Sequence, residues 1–262
     1  MRGEKFSPAV VRALDILEVI SKGNSGLSNA YLARHLGIPK SSASSILQVL
    51  QNRGYLCRYM DNGRYKLGFK VLTLGRRLLE NSPFRDLALP FMQDLVDWAD
   101  LTCHLAILGQ SEAVHLAKIV APRYFKSDRT KSVGERVPLH ASSVGKALLA
   151  WQETPVLQAS LLNMELRRSS PRTITTRAQL LAELSKVRNQ GYAIDDEECR
   201  IGWRCVGAPV FDQLGSVQVA ICLTGTVAEL DDPRLSSLAL AVQETAQRIS
   251  RRLALEHVQI AT

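Results

Sequence analysis

The feature that most constrains the fold of this 262-residue chain is a pair of short helical patterns joined by the turn Gly37-Ile38-Pro39. Before the turn, apolar residues at helical spacing predict a short helix over residues 29–36, and Ser28 is a suitable N-cap. After the turn, a second apolar stripe predicts a helix over residues 40–52. Gly37 can adopt a positive φ that most residues avoid, so the chain can bend sharply there. The sequence therefore predicts a helix-turn-helix.

A further helix and a hairpin flank this motif. Apolar residues at helical spacing predict a first helix over about residues 8–22. Downstream, strand patterns at residues 54–56 and 64–67 enclose Asp61-Asn62-Gly63, which is a strong signal for a hairpin turn. Residues 6–68 are therefore predicted to form a winged helix-turn-helix domain, in which the hairpin is the wing. A linker helix is predicted within residues 69–82.

The net positive charge of the chain is confined to this part. Residues 1–82 contain 13 Lys and Arg against 5 Asp and Glu, whereas the remaining residues contain equal numbers of each sign. A basic block of this size is typical of a surface that binds a polyanion such as double-stranded DNA. We therefore expect two parts with different roles, of which only the first binds nucleic acid.

The predicted DNA-contacting residues lie at the start of the second helix, on the outer face of the third helix and on the wing. Small hydroxyl groups and one cation at a helix start suit phosphates and base edges in a major groove. These residues are Ser28, Pro39, Lys40, Ser41, Ser42, Ser44, Ser45, Gln48, Arg58, Asn62 and Arg64. The alternative is a solvated three-helix bundle that binds no DNA, and the agreement of helix spacing, turn residues and charge argues against it.

The electrically neutral part, residues 83–259, is predicted to be a separate α+β domain. Its patterns indicate antiparallel hairpins with helices on the faces of the sheet, unlike the arrangement of a doubly wound enzyme. Predicted helices cover residues 87–100, 138–151, 176–190 and 235–255. Predicted strands cover residues 102–108, 113–120, 191–195, 205–211 and 217–224, with a hairpin at residues 109–111.

Three segments of this domain carry candidate ligand-binding groups. Residues 138–147, PLHASSVGKA, open a predicted helix, whose free amides near Ser143 and Val144 could receive an anion. The second segment is the run at residues 195–205, which begins with four acidic residues, and the third is the strand end at residues 222–225.

Simpler interpretations of these residues stay open. Cys205 and Cys222 could be small buried core residues, and Trp203 could belong to the core as well. Asp196 and Glu198 are expected to lie in a solvated acidic turn.

Several motifs resemble those of a known family. RALDILE at residues 12–18, GIPKSS at 37–42, GYL at 54–56 and YKLG at 65–68 resemble the DNA-binding domain of IclR-type bacterial transcriptional regulators. PLHASSVGKALLA, GYAIDDEE, GAPVFD and LTGT resemble the effector-binding domain of the same family, which has a GAF-like fold. The resemblance implies a transcriptional regulator whose operator binding is modulated by a small-molecule effector, an organic or aromatic acid.

The resemblance also implies which residues form the effector pocket. Matched position by position, the pocket of the family falls on Ser143, Val144, Asp195, Trp203, Cys205, Cys222 and Thr224. Relatives often have serine at the positions of Cys222 and Thr224, an aliphatic residue at Trp203, and an arginine at Ser45 in the recognition helix. These differences bear on which ligand fits and which DNA sequence is preferred.

An enzyme with an appended DNA-binding domain is the competing hypothesis. Such an enzyme would act on a small acid, with Ser143 or Cys205 as nucleophile, His140 as base and Asp195 as the group that orients the base. However, the chain has no G-x-S-x-G nucleophile elbow. His140 is more simply explained as a hydrogen-bonded residue at a helix start. We therefore predict a regulator without catalytic residues.

Composition adds the remaining expectations. The chain has no C-x-x-C pair, so its cysteines are expected to be reduced thiols of a cytoplasmic protein. They are Cys57, Cys103, Cys199, Cys205 and Cys222. Neither a metal, nor another cofactor, nor a membrane-spanning segment is expected. A single recognition helix seldom binds tightly enough, so we expect a homodimer or homotetramer that acts as a repressor or an activator.

Overall fold

The computed structural model of the chain describes residues 7–23, 25–109, 111–124 and 130–256. The chain divides into two compact units, Met1–Asn81 and Ser82–Thr262, and each is described by itself. Within the described ranges, no helix is both long enough and apolar enough to cross a membrane.

The described residues of the first unit form four helices and a two-stranded hairpin. Its elements are α1 (Pro8–Ser21), α2 (Asn29–His35), α3 (Lys40–Asn52), β1 (Leu56–Arg58), β2 (Tyr65–Leu67) and α4 (Phe69–Glu80). Ile16, Leu32 and Leu47 come from α1, α2 and α3 and meet in one core, which Tyr65 of the hairpin helps to close. Gly37 has a φ of 63° in the turn between α2 and α3, as the motif requires. β1 and β2 pair antiparallel, so the predicted winged helix-turn-helix is confirmed.

The second unit is built on one antiparallel sheet. Its strands are β3 (Thr102–Leu108), β4 (Glu112–Ile119), β5 (Arg136–Pro138), β6 (Ala193–Asp196), β7 (Trp203–Phe211) and β8 (Val217–Thr226). Its helices are α5 (Pro83–Ala99), α6 (Ser143–Ala150), α7 (Thr154–Asn163), α8 (Arg177–Gln190) and α9 (Asp232–Leu255), with a short 3-10 helix at Pro122–Tyr124. The strand order is β5-β4-β3-β8-β7-β6, and all neighbouring strands are antiparallel. The predicted α+β fold is confirmed.

The two faces of the sheet are buried against different helices, because side chains alternate along each strand. On one face, Ala220 and Cys222 of β8 join a core that includes residues of α6 and α8. On the other face, Ile221 and Leu223 are buried where α5 and α9 pack against the strands. The candidate site of this unit lies on the α6 face.

The second unit differs from the prediction most clearly at α6, which begins later than predicted, and at β5 and α7, which are not predicted, while α5 begins four residues earlier than predicted. The pattern predicts a helix over residues 138–151, but α6 begins only at Ser143. Pro138 ends β5 opposite Glu112, and the hydroxyl of Ser142 caps α6 by accepting a hydrogen bond from the Gly145 amide at 3.1 Å. No helix is predicted where α7 lies. Only Leu161 of α7 is buried, so the helix lacks the apolar stripe by which a sequence pattern is recognised.

Candidate functional site

The outer face of α3 carries most of the predicted DNA-contacting side chains. α3 buries Ala43, Leu47 and Leu50 against the core of the first unit. The opposite face is therefore solvent-exposed at Lys40, Ser41, Ser44, Ser45 and Gln48, with Pro39 exposed just before the helix and Ser42 half-buried. The Ser45 hydroxyl donates a hydrogen bond to the Ser41 carbonyl at 3.2 Å.

The wing and the start of α2 hold the other predicted contacts. Arg58 and Arg64 are exposed on the hairpin; Arg58 Nε donates to the Gly63 carbonyl at 3.3 Å. Asn62 Oδ1 accepts a hydrogen bond from the Arg64 amide at 3.0 Å, and the Ser28 hydroxyl accepts one from the Tyr31 amide at 3.2 Å. Asn62 and Ser28 thus stabilise a turn and a helix start, and their contacts with DNA remain predictions.

A cavity of about 460 Å³ opens in the second unit on the α6 face of the sheet. All seven residues of the predicted effector pocket line it: Ser143, Val144, Asp195, Trp203, Cys205, Cys222 and Thr224. Its volume falls within the range of small-molecule sites in proteins. The structure therefore brings the seven residues together, and their contact with a ligand remains a prediction.

The register of the strands explains why these residues meet. Asp195 lies opposite Cys205, and Cys205 lies opposite Thr224, so one row of side chains crosses β6, β7 and β8. Gly207, two residues along β7 on the same face, is packed under α6. A Cβ at Gly207 would lie 3.1 Å from the Ser143 hydroxyl oxygen, so the glycine allows α6 to approach the sheet closely.

The N-terminus of α6 opens onto the cavity. Ser142, Ser143 and Val144 all line the cavity, and the Ser142 hydroxyl is engaged in capping the helix. Among the described residues, the amides of Ser143 and Val144 have no hydrogen-bond acceptor. The start of a helix carries a partial positive charge, so this point can receive a carboxylate.

The end of β6, the turn after it and the start of β7 form another wall of the cavity, and they supply Asp195, Cys199, Arg200 and Trp203. Asp195 is buried, and its Oδ1 accepts hydrogen bonds from the amides of Glu198 at 2.8 Å and Cys199 at 3.2 Å. Burial raises the pKa of Asp195, although these hydrogen bonds act in the opposite direction. Asp195 therefore holds the turn in place as well as facing the cavity.

The prediction of a solvated acidic turn is wrong for Glu198, and Asp196 lies half-buried at the end of β6. Glu198 is buried and forms an ion pair with Lys146 of α6, whose side chain is fully buried. The Lys146 Nζ also lies 3.5 Å from Oε1 of Glu183 in α8. Asp196 Oδ1 is 2.7 Å from the guanidinium of Arg204. Both carboxylates therefore have cationic partners, and the Lys146–Glu198 ion pair links α6 to the turn after β6, which form two walls of the cavity.

Other residues of the cavity wall are not among the seven predicted pocket residues. They are His104, His115, Thr130, Lys131, Glu135, Arg136, Val137, Pro138, Ser142, Ser169, Cys199 and Arg200. The ring centroids of His104 and His115 are 4.7 Å apart, and neither Nδ1 has a hydrogen-bond partner among the described residues. Burial lowers the pKa of both rings, to about 4 for His115, so both are neutral at pH 7. The sequence alone does not indicate that His104 lines the cavity. Its place there follows from the register of β3 and β8, in which His104 lies opposite Cys222.

The residues of the enzyme hypothesis do not form a catalytic arrangement. His140 is not among the described residues of the cavity wall, and the carbonyl of Arg167 holds its Nε2 at 3.1 Å. Burial raises the pKa of the Cys205 thiol and that of the Cys222 thiol, the latter to about 11, so neither is a good nucleophile at neutral pH.

All five cysteines are free thiols. In the described ranges, no three His, Cys, Asp or Glu side chains are arranged to hold a metal.

Family models match both units of the chain. Residues 9–58 match the IclR helix-turn-helix domain. Residues 76–251 match the C-terminal domain of the bacterial transcriptional regulator IclR.

Curated relatives match over nearly the whole chain. The HTH-type transcriptional regulator XynR of Escherichia coli K12 is 31% identical over 245 residues, which cover 94% of this chain and 96% of XynR. The HTH-type transcriptional repressor AllR of the same strain is 30% identical over 253 residues, which cover 97% of this chain and 93% of AllR.

Solved structures share the fold. The crystal structure of Thermotoga maritima IclR matches with a TM-score of 0.71 and 30% identity, over 94% of this chain and 98% of that one. An IclR homolog from Microbacterium hydrocarbonoxydans, crystallised with 4-hydroxybenzoate, matches with a TM-score of 0.76 and 22% identity, over 94% and 99% of the two chains.

The relatives are named as regulators and repressors, and both matched domains are regulatory, so the chain is a transcriptional regulator and not an enzyme. A helix-turn-helix domain is followed by an IclR-type C-terminal domain, and the chain belongs to the IclR family of bacterial transcriptional regulators.

Proposed function

We propose that this regulator binds a double-stranded DNA operator through its first unit and that a small organic acid in the cavity of its second unit modulates this binding. The observation that carries the proposal is the convergence of α6, the turn after β6 and the central strands on one cavity of about 460 Å³. The basic first unit supports operator binding, because the second unit contributes no net charge to attract phosphates.

The charges around the cavity favour an acid. Lys131, Arg136 and Arg200 line it, against the carboxylates of Glu135 and Asp195, and the start of α6 adds a partial positive charge. An effector carboxylate at the α6 amides avoids repulsion by lying away from Asp195. A hydroxyl of the effector then faces Asp195 or Thr224, and Trp203 offers a flat apolar wall for a ring. The proposed effector is therefore a small hydroxy acid or aromatic acid.

The proposal includes self-association in the cytoplasm of a bacterial cell. A homodimer or homotetramer presents two or more α3 helices to one operator, and the affinity for DNA rises accordingly. Effector binding then changes operator affinity by favouring one arrangement of the subunits over another.

The test combines a ligand screen with DNA binding. Purified full-length protein is screened by thermal shift against a panel of small organic and aromatic acids that includes 4-hydroxybenzoate. Each stabilising acid is then added to a gel-shift titration on operator DNA recovered by genomic selection. An acid that raises the melting temperature and changes operator affinity supports the proposal. Operator binding that no stabilising acid alters would contradict effector control.

We expect the exposed cations of the first unit to contact phosphates. Lys40→Ala, Arg58→Ala and Arg64→Ala should each weaken binding to all DNA sequences, because phosphate contacts do not depend on the bases. Each should also make the slope of log K against log salt concentration less steep by about one. The reason is that each phosphate contact releases about one counterion from the DNA when the protein binds. Fluorescence anisotropy over a salt series measures both effects.

Lys186→Ala is the matched control for these variants. Lys186 lies on α8 in the neutral second unit, and its side chain is 73% exposed. Its removal should leave the salt slope unchanged. An unaltered slope in all three variants of the first unit would remove the helix start and the wing from the DNA interface.

Thr224→Val should weaken binding of the acid found in the screen by on the order of 1–3 kcal/mol, the usual cost of a lost hydrogen bond at a buried site. The Thr224 hydroxyl has only sulfur partners among the described residues, Cys205 Sγ at 3.3 Å and Cys222 Sγ at 3.8 Å, so it is available to a ligand. Calorimetry measures the affinity. Thr245→Val is the control, since that buried hydroxyl donates to Ala241 within α9, outside the cavity. If Thr224→Val bound the acid as tightly as the control variant and the wild type do, a contact between Thr224 and the effector would be excluded.

A further inference from the structure

The exposed face of α3 carries one long uncharged side chain within its first nine residues. Ser41, Ser44, Ser45 and Gln48 are spaced i, i+3, i+4 and i+7, so they form a single stripe along the helix. All four are exposed. Lys40 is the one cation of this stretch, and it lies at the helix start, where a phosphate contact is expected.

The serines of this stripe cannot reach far. A serine hydroxyl is one bond from Cβ, and the Ser45 hydroxyl already donates to the carbonyl of Ser41 at 3.2 Å. The amide oxygen and nitrogen of Gln48 are two bonds further from the backbone than a serine hydroxyl, and the amide makes no hydrogen bond to any described residue. Gln48 is therefore the side chain of this stripe that can form two hydrogen bonds to one base.

We propose that Gln48 recognises an adenine in the major groove of the operator. A glutamine amide matches the edge of adenine, because its carbonyl accepts a hydrogen bond from N6 and its NH₂ group donates one to N7. The operator then has an adenine at the position that faces Gln48. The short serines contribute less base discrimination, and the remaining preference comes from DNA shape. This inference rests on the proposed function, since it requires that α3 enters the groove.

The first experiment selects binding sites from a pool of random DNA duplexes with the full-length wild type, Gln48→Ala, Gln48→Glu and Gln51→Ala. Gln51 is a matched control, being an exposed glutamine one turn further along α3. Alanine and glutamate are good helix formers at an exposed position, so α3 is retained.

The wild type should enrich a sequence element with an adenine at one fixed position. Gln48→Ala should enrich the same element with that position degenerate. Gln48→Glu should change the preference there to cytosine, because a carboxylate accepts from the N4 amino group. Gln51→Ala should keep the adenine. A change from adenine to cytosine is a result that mere damage to α3 cannot produce.

The second experiment measures affinity on the selected duplex at one salt concentration. Replacing the adenine by another base should cost the wild type on the order of five- to a hundredfold in affinity, and Gln48→Ala should be insensitive to the replacement. Replacing it by 7-deazaadenine, which lacks N7, should weaken the wild type and leave Gln48→Ala unchanged.

Two results would overturn the inference while leaving the proposed function intact: an unchanged adenine preference in Gln48→Ala, or a uniform loss of its affinity on all sequences, which indicates a phosphate contact. A wild type that enriches no sequence element would overturn sequence-specific binding and the inference with it.

Discussion

Lys146→Met should destabilise the second unit by about 3–5 kcal/mol at pH 8, the usual cost of removing one partner of a buried ion pair. The Lys146 side chain is fully buried and binds Glu198, which is itself buried with one carboxylate oxygen, Oε2, unpartnered among the described residues. Without the lysine, a buried carboxylate has no cation to compensate it. The three tryptophans of the sequence, at positions 98, 151 and 203, all lie in the second unit. Their fluorescence during urea unfolding therefore reports on that unit.

The pH dependence of this penalty has a defined sign. Burial raises the pKa of Glu198 to about 7, with Lys146 acting against that rise. The pKa of the Glu198 carboxyl is higher in the folded chain than in the unfolded chain. Its protonation therefore favours the folded state, fully at a pH below the unfolded pKa, and this contribution is lost as the pH rises through about 7. In acid, Glu198 takes up a proton and leaves no unpaired charge. The penalty of Lys146→Met should therefore be smaller at pH 5 than at pH 8.

Lys146→Met combined with Glu198→Leu is the matched control, because replacing both partners by apolar side chains leaves no buried charge of the pair. The double variant should be more stable than Lys146→Met alone. A Lys146→Met protein within 1 kcal/mol of the wild type at pH 8, on the order of an exposed pair, would contradict the role of this ion pair.

Gly145→Ala should destabilise the second unit by about 1–3 kcal/mol or more, although alanine normally stabilises a helix interior relative to glycine. An added Cβ would lie 2.4 Å from Cα and 2.6 Å from the carbonyl oxygen of Leu139, and backbone atoms cannot move aside cheaply. The clash would push the start of α6 away from the segment before it, at the cavity wall. Urea unfolding followed by tryptophan fluorescence measures the loss.

Gly75→Ala is the opposite case and serves as the control. Gly75 lies within α4, and an added Cβ would meet nothing within 4 Å. This variant should stabilise the first unit by roughly 0.5–1 kcal/mol, the ordinary gain of alanine over glycine in a helix. Circular dichroism measures it, since the tryptophans lie in the other unit. If Gly145→Ala were as benign as Gly75→Ala, the close packing of α6 against Leu139 would be excluded.

The sequence predicts the first unit well because local signals agree there. The predicted bounds of the third helix, residues 40–52, match α3, and Gly37 has the positive φ expected of the turn. Each of these features depends on a few neighbouring residues. Capping, turn chemistry and apolar spacing are therefore enough to define the unit.

The second unit is predicted less completely because parts of it depend on tertiary contacts. The α6 start is misplaced by five residues, since a proline that could open a helix pairs in β5 instead. His104 and Arg136 reach the cavity only through the pairing of strands distant in sequence. Glu198 looks like a surface residue in the sequence, because its partner Lys146 lies 52 residues earlier in the chain.

The lengths of the strands have a consequence for colloidal behaviour. The sheet ends on its two shortest strands, β5 with three residues and β6 with four, while longer strands lie inside. β6 pairs with β7 only as far as Gly207, and beyond that point Pro209 has no N–H to offer to another chain. The two edge strands themselves therefore offer few backbone groups to a foreign strand. Edge-to-edge aggregation, which long flat edges promote, is accordingly disfavoured at high protein concentration.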